Sequence, residues 1–402
     1  MGAVESFNRP TMTLVESSPA ERIAWRPAIA VVLALLLAPH LKSAAADFDY
    51  DAMARVTVDA LALSPGERVM LRFDPGYFAR LTPLVRQRIR QAGAVDVAAL
   101  EYTPIASAGQ SADSDAEEAA FATLLKAADV YIWLPVRETE RTTTPAERRA
   151  LAAWLDEGGS HRQIHFHWSQ GSVLADGLAG EHSEALDRMY AAALNVDTRA
   201  IGEAQDRVIQ ALRSGTARVR TPAGTDIRFR VGDRPFNKQD GDASAQRMNS
   251  ARIRIDREIE LPCGVLRVAP IEESVEGTLV VPKARLQGKV ATNIRFEFKD
   301  GKITGVSADE NLEAVEAEIA SGSDGAKWFR EFGLGFHPNL VSIPGSEIIP
   351  YFGYGAGVVR MSLGDNEELG GAVRGGYRRW LFLTEATVEV GDHILVHEGK
   401  LR

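Results

Sequence analysis

Short apolar runs alternate with helical patterns over the first part of the chain, and this alternation restricts the possible folds more than any other feature. The segments are, in order, 68–73 (strand), 81–93 (helix), 95–102 (strand), 129–136 (strand), 145–159 (helix) and 163–168 (strand). Strands that alternate with helices form βαβ units around a parallel sheet. The sequence therefore predicts an α/β N-terminal domain with a mostly parallel sheet over residues 47–213.

The pattern changes after residue 214, where strands dominate. Residues 217–232 alternate apolar and polar side chains around an Ala223-Gly224 turn, which is typical of a hairpin. Helical periodicity is clear only at 311–322. We therefore expect residues 214–402 to form an α+β C-terminal domain with a largely antiparallel sheet.

Residues 1–46 have the three parts of a secretory signal peptide. Arg22 and Arg26 precede an apolar run at 28–38, and small residues follow at 43–46. The run is about half of the roughly 20 residues that span a bilayer. We expect cleavage near Ala46 and a secreted or periplasmic protein without membrane association; an uncleaved anchor and a cytosolic protein are the alternatives.

The composition excludes several classes of protein. A chain of 402 residues with 45% hydrophobic and 25% charged residues is globular in character. Its 46 Lys and Arg against 55 Asp and Glu give a net charge of -9, so nothing in the overall charge attracts nucleic acid. Cys263 is the single cysteine, which excludes an intrachain disulfide and a CxxC zinc site.

The second half contains five sequence blocks in a characteristic order. They are GTDIRFRVGDRP (224–235), LPCGVLRVAPIEESVEGTLVV (261–281), REFGLGFHPN (330–339), VVRMSLGDNEELGG (358–371) and LTEATVEVGD (383–392). This series resembles the thermophilic metallo-aminopeptidase family of the aminopeptidase T and S type. The resemblance implies two divalent metal ions (zinc, cobalt or manganese) in the C-terminal domain, removal of N-terminal residues from peptides by a metal-activated water, and a possible homodimer.

Two carboxylates match the site positions of this family. Glu276 matches the glutamate of the VEG block and Glu331 matches the glutamate of the E-x-G-x-G block. The resemblance implies that they act as metal ligands or general base, facing each other across a cleft. Glu367 and His337, at neighbouring site positions, would complete a single-metal site if the fold gathers all four.

Other site positions depart from the family. Arg360 lies at the position of the family histidine, and Arg378 and Trp380 lie at the H-x-D pair. Arginine is always protonated and only donates hydrogen bonds, so it repels a cation instead of binding it. Arg360 and Arg378 are therefore expected to pair with Glu276 and Glu331 in place of metal.

These observations leave two functions open. The first is a metal-dependent aminopeptidase with Glu276 and Glu331 in the catalytic site. The second is a non-catalytic family member that binds an anionic small molecule or a peptide carboxylate through Arg360 and Arg378. The two arginines favour a site without metal. A ring-cleaving dioxygenase family with a similar fold normally keeps the H-x-D pair, which is absent here.

Other motifs are weaker. His165 and His167 are two residues apart on a strand, so their side chains share a face and could bind a metal or line a cleft; structural histidines are the alternative. The turn after the first strand is Asp74-Pro75-Gly76 and lacks a GxGxxG motif. No G-x-S-x-G motif is present, which argues against a serine hydrolase.

Overall fold

The computed structural model describes residues 48–101, 112–134, 144–166, 168, 173–174, 183–342 and 347–402. The expected signal peptide and His167 lie outside the described residues. Among the described residues, no helix combines the length and apolarity that crossing a bilayer requires. Residues Ala46–Arg402 form one compact unit.

The strands and helices are numbered along the chain. The strands are β1 Arg68–Phe73, β2 Val95–Glu101, β3 Val130–Leu134, β4 Arg162–Phe166, β5 Val173–Leu174, β6 Ala217–Arg220, β7 Asp226–Phe229, β8 Phe236–Lys238, β9 Glu258–Leu261, β10 Val265–Val268, β11 Glu276–Leu286, β12 Lys289–Lys299, β13 Lys302–Ser307, β14 Phe329–Gly335, β15 Ile348–Ile349, β16 Val359–Gly364, β17 Arg378–Leu383, β18 Thr387–Val390, β19 His393–His397 and β20 Lys400–Leu401. The helices are α1 Tyr50–Asp59, α2 Pro75–Phe78, α3 Leu81–Gln91, α4 Ala112–Lys126, α5 Pro145–Asp156, α6 Glu184–Leu194, α7 Thr198–Ser214, α8 Ala245–Met248 and α9 Leu312–Ser321.

A parallel sheet carries the first part of the fold. Its strand order is β2-β1-β3-β4-β9, and every neighbouring pair is parallel. One face buries Met70 and Tyr131 against Phe121 of α4 and Trp154 of α5. The predicted α/β class with a parallel sheet is confirmed. Strand β9 comes from the second half of the chain, so the predicted division at residue 214 is crossed by a strand of this sheet.

Two antiparallel sheets form most of the second half. One has the order β17-β16-β14-β10-β8 and the other the order β13-β12-β11-β7-β6-β18-β19-β20, while β15 and β5 pair separately. The predicted hairpin is β6–β7, and Gly224 in its turn has φ +104°, a conformation that glycine adopts without strain. The predicted helix at 311–322 is α9. The expectation of a largely antiparallel α+β part is therefore confirmed.

Local signals explain the start of α5. The Thr144 hydroxyl accepts a hydrogen bond from Glu147 N (3.2 Å), and the Glu147 carboxylate accepts one from Thr144 N (2.9 Å). This capping box, with Pro145 at the first helical position, satisfies backbone groups that a helix start otherwise leaves unpaired. The second oxygen of Glu147 binds Arg72 of β1 at 2.7 Å, which ties the helix to the parallel sheet.

Candidate functional site

A fully buried carboxylate, Glu331, lies in the middle of the five-stranded antiparallel sheet. Every residue of its strand, β14, is buried. Oε1 of Glu331 accepts a hydrogen bond from Arg360 Nε at 2.9 Å, and Oε2 accepts one from Arg267 Nη2 at 3.0 Å. Arg330 also donates to Oε2. Three guanidinium groups therefore enclose one carboxylate, and we call these four residues together with Glu368 and Arg378 the arginine cluster.

Strand register brings the first two arginines to Glu331. Arg267 of β10 pairs with Gly333 of β14, and Gly333 pairs with Arg360 of β16. These three residues form a row across the sheet, two positions along β14 from Glu331. A Cβ at Gly333 would lie 3.4 Å from Arg360 Cβ and 3.5 Å from its Nε. The missing side chain at Gly333 thus leaves room for the Arg360 side chain to cross the middle strand.

A β-bulge places the third arginine. The pairing of β14 with β16 shifts between Phe329 and Glu331, so Arg330 is an extra residue on its strand. Adjacent residues of a regular strand point to opposite faces, and a bulge changes that direction. Arg330 Nε donates to Asp365 O at 2.6 Å, and Nη1 lies 3.4 Å from Ser362 Oγ. The bulge therefore allows two consecutive charged residues to meet on one side of the sheet.

Glu368 and Arg378 form the outer part of the cluster. Glu368 accepts hydrogen bonds from Arg267 Nη2 at 2.9 Å and from Arg330, and it forms an ion pair with Arg378 at 2.7 Å. The Arg378 side chain is 42% exposed, whereas those of Arg267, Arg330 and Arg360 are 6%, 0% and 4% exposed. Arg378 is thus the arginine of this cluster that a solute can reach.

Charge explains why Glu331 stays ionised in the interior. Burial by itself raises the pKa of the Glu331 carboxyl, but the charges of Arg267, Arg330 and Arg360 outweigh burial and hold that pKa well below its usual range. Burial likewise raises the pKa of Glu368, and the surrounding arginines outweigh it, so that pKa is also lowered. Both groups are therefore carboxylates at neutral pH.

Glu276, the other predicted carboxylate, does not join the cluster. It is exposed at the first position of β11, in the eight-stranded sheet, opposite Arg228 of β7. Within the part of the chain that the structure describes, it has no ion pair. The nearby carboxylate that is buried is Glu272, which binds Arg234, Asn366 Nδ2 (2.9 Å) and Ala372 N (2.8 Å). The two predicted carboxylates, Glu276 and Glu331, therefore lie in different sheets.

Glu367 and His337 are also engaged elsewhere. Glu367 is half exposed and forms an ion pair with Arg374 at 2.7 Å. The buried His337 accepts a hydrogen bond from Asn339 N at Nδ1 (3.1 Å) and donates from Nε2 to Ala193 O (2.9 Å). Burial lowers the pKa of His337 against the raising effect of that last bond, so the ring is neutral. Both ring nitrogens are used by backbone groups.

The donor atoms do not fit the divalent metal ions that the family resemblance implies. Metal ligands must offer free lone pairs, and the nearest charges must not be cations. Glu331 has three arginines on its two oxygens, Glu276 lies in another sheet, and the nitrogens of His337 are occupied. Among the described residues, no three His, Cys, Asp or Glu side chains are grouped to hold a metal.

Sequence analysis missed three members of the cluster, Arg267, Arg330 and Glu368. Arg267 lies within the apolar run VLRVAP and Arg330 within WFREFGLGF. A charged residue inside a strand that is otherwise apolar is a detectable signal, because such a side chain is buried only with a partner. Glu368 is adjacent to the predicted Glu367, and only the turn after β16 decides which of the two points inward.

The fold is similar to two solved structures of known proteins. The sequence itself matches no protein-family model and no curated protein. The structure is similar to that of 2,5-dihydroxypyridine dioxygenase from Pseudomonas putida KT2440, with a TM-score of 0.59 and 17% identity, over 88% of this chain and 96% of that chain. It is also similar to wild-type AmpT, an aminopeptidase T, from Thermus thermophilus, with a TM-score of 0.57 and 15% identity, over 87% of this chain and 98% of that chain. At these identities the similarity shows that this chain has the same fold, in which a parallel α/β sheet is joined to antiparallel sheets.

Proposed function

We propose that this protein is a non-catalytic, exported protein with an aminopeptidase T-like fold that binds an anionic small molecule or a peptide carboxylate. The supporting observation is the engagement of Glu331, whose two oxygens accept hydrogen bonds from three buried arginines. A metal ion would have to displace these arginines against charge repulsion. The positive charge of the site therefore comes from the arginine side chains of the protein itself.

Arg378 is the residue that contacts the ligand in this proposal. Its guanidinium has five N–H donors, and among the described residues its ion pair is with Glu368. Its side chain is 42% exposed, so its N–H groups can meet a carboxylate from solution, which arginine binds in a bidentate manner. Arg360 does not have the direct role expected from the sequence, because it is buried and donates to Glu331 and to Phe352 O. We assign it the role of holding Glu331 in place.

A binding experiment tests this role. We expect N-acetylglycine to bind the mature protein in calorimetry and N-acetylglycinamide, which lacks the carboxylate, not to bind. Arg378→Gln should weaken binding of N-acetylglycine about tenfold, the loss expected for one charge-assisted contact. Arg374→Gln is the matched control, since Arg374 is exposed and pairs with Glu367 outside the cluster. Equal binding of the amide would contradict the proposal.

Aminopeptidase activity is the second candidate, because the fold is similar to that of AmpT. Aminopeptidase activity of this family type requires metal. Two measurements therefore distinguish the two functions: elemental analysis of the protein after dialysis, and a peptidase assay for released N-terminal residues in added zinc, cobalt or manganese. We expect no metal in stoichiometric amount and no metal-dependent release. Tightly bound metal together with metal-dependent peptidase activity would establish the enzyme instead.

Export and dimer formation remain separate proposals. The signal pattern of residues 1–46 supports secretion or transfer to the periplasm. N-terminal sequencing of exported protein should start near Asp47, and a retained Met1 would contradict cleavage. The family resemblance also implies a homodimer. We therefore expect light scattering of the mature protein to give the mass of two chains.

A further inference from the structure

A cavity of about 370 Å³ lies between α3 and the strands β1 and β2, outside the arginine cluster. This volume is at the lower end of the range for small-molecule sites. Phe73 and Glu101, the last residues of β1 and β2, line the cavity together with one face of α3. Ligands of parallel sheets bind outside the carboxyl ends of the strands. We call this cavity, which is lined by Phe73, Thr82, Arg86, Arg90, Ala99 and Glu101 among others, the α3 groove.

A β-bulge in β2 forms the floor of the α3 groove. Three residues of β2 pair with every second residue of β1 from Val69 to Phe73. They are Asp96, Ala99 and Glu101, and the register shifts by one residue after Asp96. Because alternate residues of a strand share a face and a bulge changes that alternation, all three side chains lie on the face that α3 covers.

The end of the groove beside Asp96 is positively charged. Arg86 Nε donates to both oxygens of Asp96, at 3.1 and 2.8 Å, and Arg90 Nη1 donates to Asp96 Oδ2 at 2.6 Å. The Asp96 side chain is 6% exposed, whereas those of Arg86 and Arg90 are 40% and 56% exposed. One carboxylate thus holds two guanidiniums in place, and one positive charge is left unbalanced. Among the described residues, the two Nη groups of Arg86 make no hydrogen bond.

The opposite end of the groove is negatively charged. Glu101 is exposed, and within the described part of the chain no cation pairs with it. Ala99 lies between the two ends, and its small side chain leaves space above the strand. With a rise of about 3.3 Å per residue, the levels of Asp96 and Glu101 are about 13 Å apart along the strand. The groove therefore offers two separated charges of opposite sign.

We infer that the α3 groove binds a short peptide with free ends. The C-terminal carboxylate of the peptide accepts hydrogen bonds from Arg86 and Arg90, and its N-terminal ammonium pairs with Glu101. An extended tripeptide is about 10 Å long, which matches the separation of the two charged ends. Arginine binds carboxylates in a bidentate manner, so the guanidinium end recognises the carboxylate. This site goes beyond the proposed function, because it uses no residue of the arginine cluster.

Calorimetry with three peptides tests both ends of the groove. The peptides are trialanine, N-acetyltrialanine, which lacks the ammonium, and trialaninamide, which lacks the carboxylate. The mature full-length protein carries Arg378→Gln, so that the contact proposed at Arg378 does not contribute. We expect trialanine to bind and each blocked peptide to bind about tenfold more weakly, because each has lost one charge-assisted contact. Equal binding of the three peptides, or no binding of trialanine, would overturn the inference.

Single substitutions assign each end of the peptide to its residue. In Glu101→Gln, trialanine should bind about tenfold more weakly, while binding of N-acetyltrialanine should be unchanged. In Arg90→Gln, trialanine should lose a similar factor, while binding of trialaninamide should be unchanged. Arg88→Gln is the matched control on the same helix, because Arg88 pairs with Asp51 at 2.8 Å.

The outcomes are distinct from those of the proposed function. If Arg378→Gln weakens binding of N-acetylglycine but trialanine is insensitive to Glu101→Gln and Arg90→Gln, the peptide site is wrong and the proposed function holds. If trialanine responds to Glu101→Gln and Arg90→Gln but N-acetylglycine is insensitive to Arg378→Gln, the peptide site holds and the role of Arg378 is wrong.

Discussion

Arg360 Nε lies 2.9 Å from Oε1 of Glu331, and both side chains are buried in adjacent strands of one antiparallel sheet. The family resemblance assigns metal chemistry to both positions, but in this protein they form a direct ion pair. A buried carboxylate requires nearby positive charge, and covalently attached guanidiniums supply it without an ion from solution.

Removal of the buried carboxylate should strongly destabilise the protein. Glu331→Gln leaves Arg267, Arg330 and Arg360 without their shared partner, and breaking a buried ion pair from one side costs about 3–5 kcal/mol. Urea denaturation at neutral pH measures the free energy of unfolding. Glu276→Gln is the control, since this exposed carboxylate should change stability by at most about 0.5 kcal/mol. Comparable losses for both variants would contradict the assignment of Glu331 as the central carboxylate.

The stability of the protein should not depend on divalent metal. A metal that binds only the folded state, present at a free concentration 100 times its dissociation constant, would add about 2.7 kcal/mol to the free energy of unfolding. We expect the thermal midpoint to be unchanged by EDTA and by added zinc, cobalt or manganese. A midpoint that falls in EDTA and recovers with one of these metals would show a metal site that the donor atoms do not indicate.

The cluster should lose its stabilising effect in acid. The pKa values of Glu331 and Glu368 are lowered by folding, so below the unfolded value of about 4.3 the unfolded chain binds more protons than the folded one. The free energy of unfolding therefore falls as the pH drops from about 4.3 toward the folded pKa values. The variant Glu368→Gln lacks one of these carboxylates. Its free energy of unfolding should be lower than that of the unmodified protein at neutral pH, and this difference should decrease over the same pH range. A difference in the free energy of unfolding that is constant from neutral pH to pH 3 would show that the pKa of Glu368 is not lowered.

Two glycines of the E-x-G-x-G block should differ in their tolerance of a side chain. A Cβ at Gly335 would lie 2.1 Å from Gly355 O and 2.6 Å from Gly353 O, both backbone atoms that cannot move aside. Gly335→Ala should cost about 3 kcal/mol or more, the upper range for overpacking. At Gly333 the closest atom is Arg360 Cβ at 3.4 Å, so Gly333→Ala should cost about 1 kcal/mol. Thermal unfolding of both variants measures which one loses more stability. A larger loss for Gly333→Ala than for Gly335→Ala would contradict the prediction.

Interactions between residues close in the chain could be predicted from the sequence. Thr144 caps the predicted helix with Glu147 three residues away, and the hairpin of β6 and β7 forms around the predicted turn at Gly224. The family resemblance also points to Glu331 and Arg360, but it does not predict the hydrogen bond between them.

The site itself depends on contacts between distant segments. Arg267 and Glu331 are 64 residues apart, and they meet because β10 and β14 are neighbours in one sheet. The bulge at Arg330 has no sequence signal of its own, because it is defined by the pairing of β14 with β16. The VEG block predicts a site role for Glu276, but the pairing of β11 with β7 places Glu276 in a different sheet from Glu331.

The sequence by itself determined which segments form strands and which form helices. Apolar residues recur every two positions in a half-buried strand and about every 3.6 positions in a helix, and this spacing depends only on each segment's own side chains. The sequence also places charged residues such as Arg267 and Arg330 within apolar strand segments. Only the tertiary structure decided which charges meet. Strand order and register set the distance between Arg360 and Glu331, and at that distance the free energy of burying two charges is offset by their attraction.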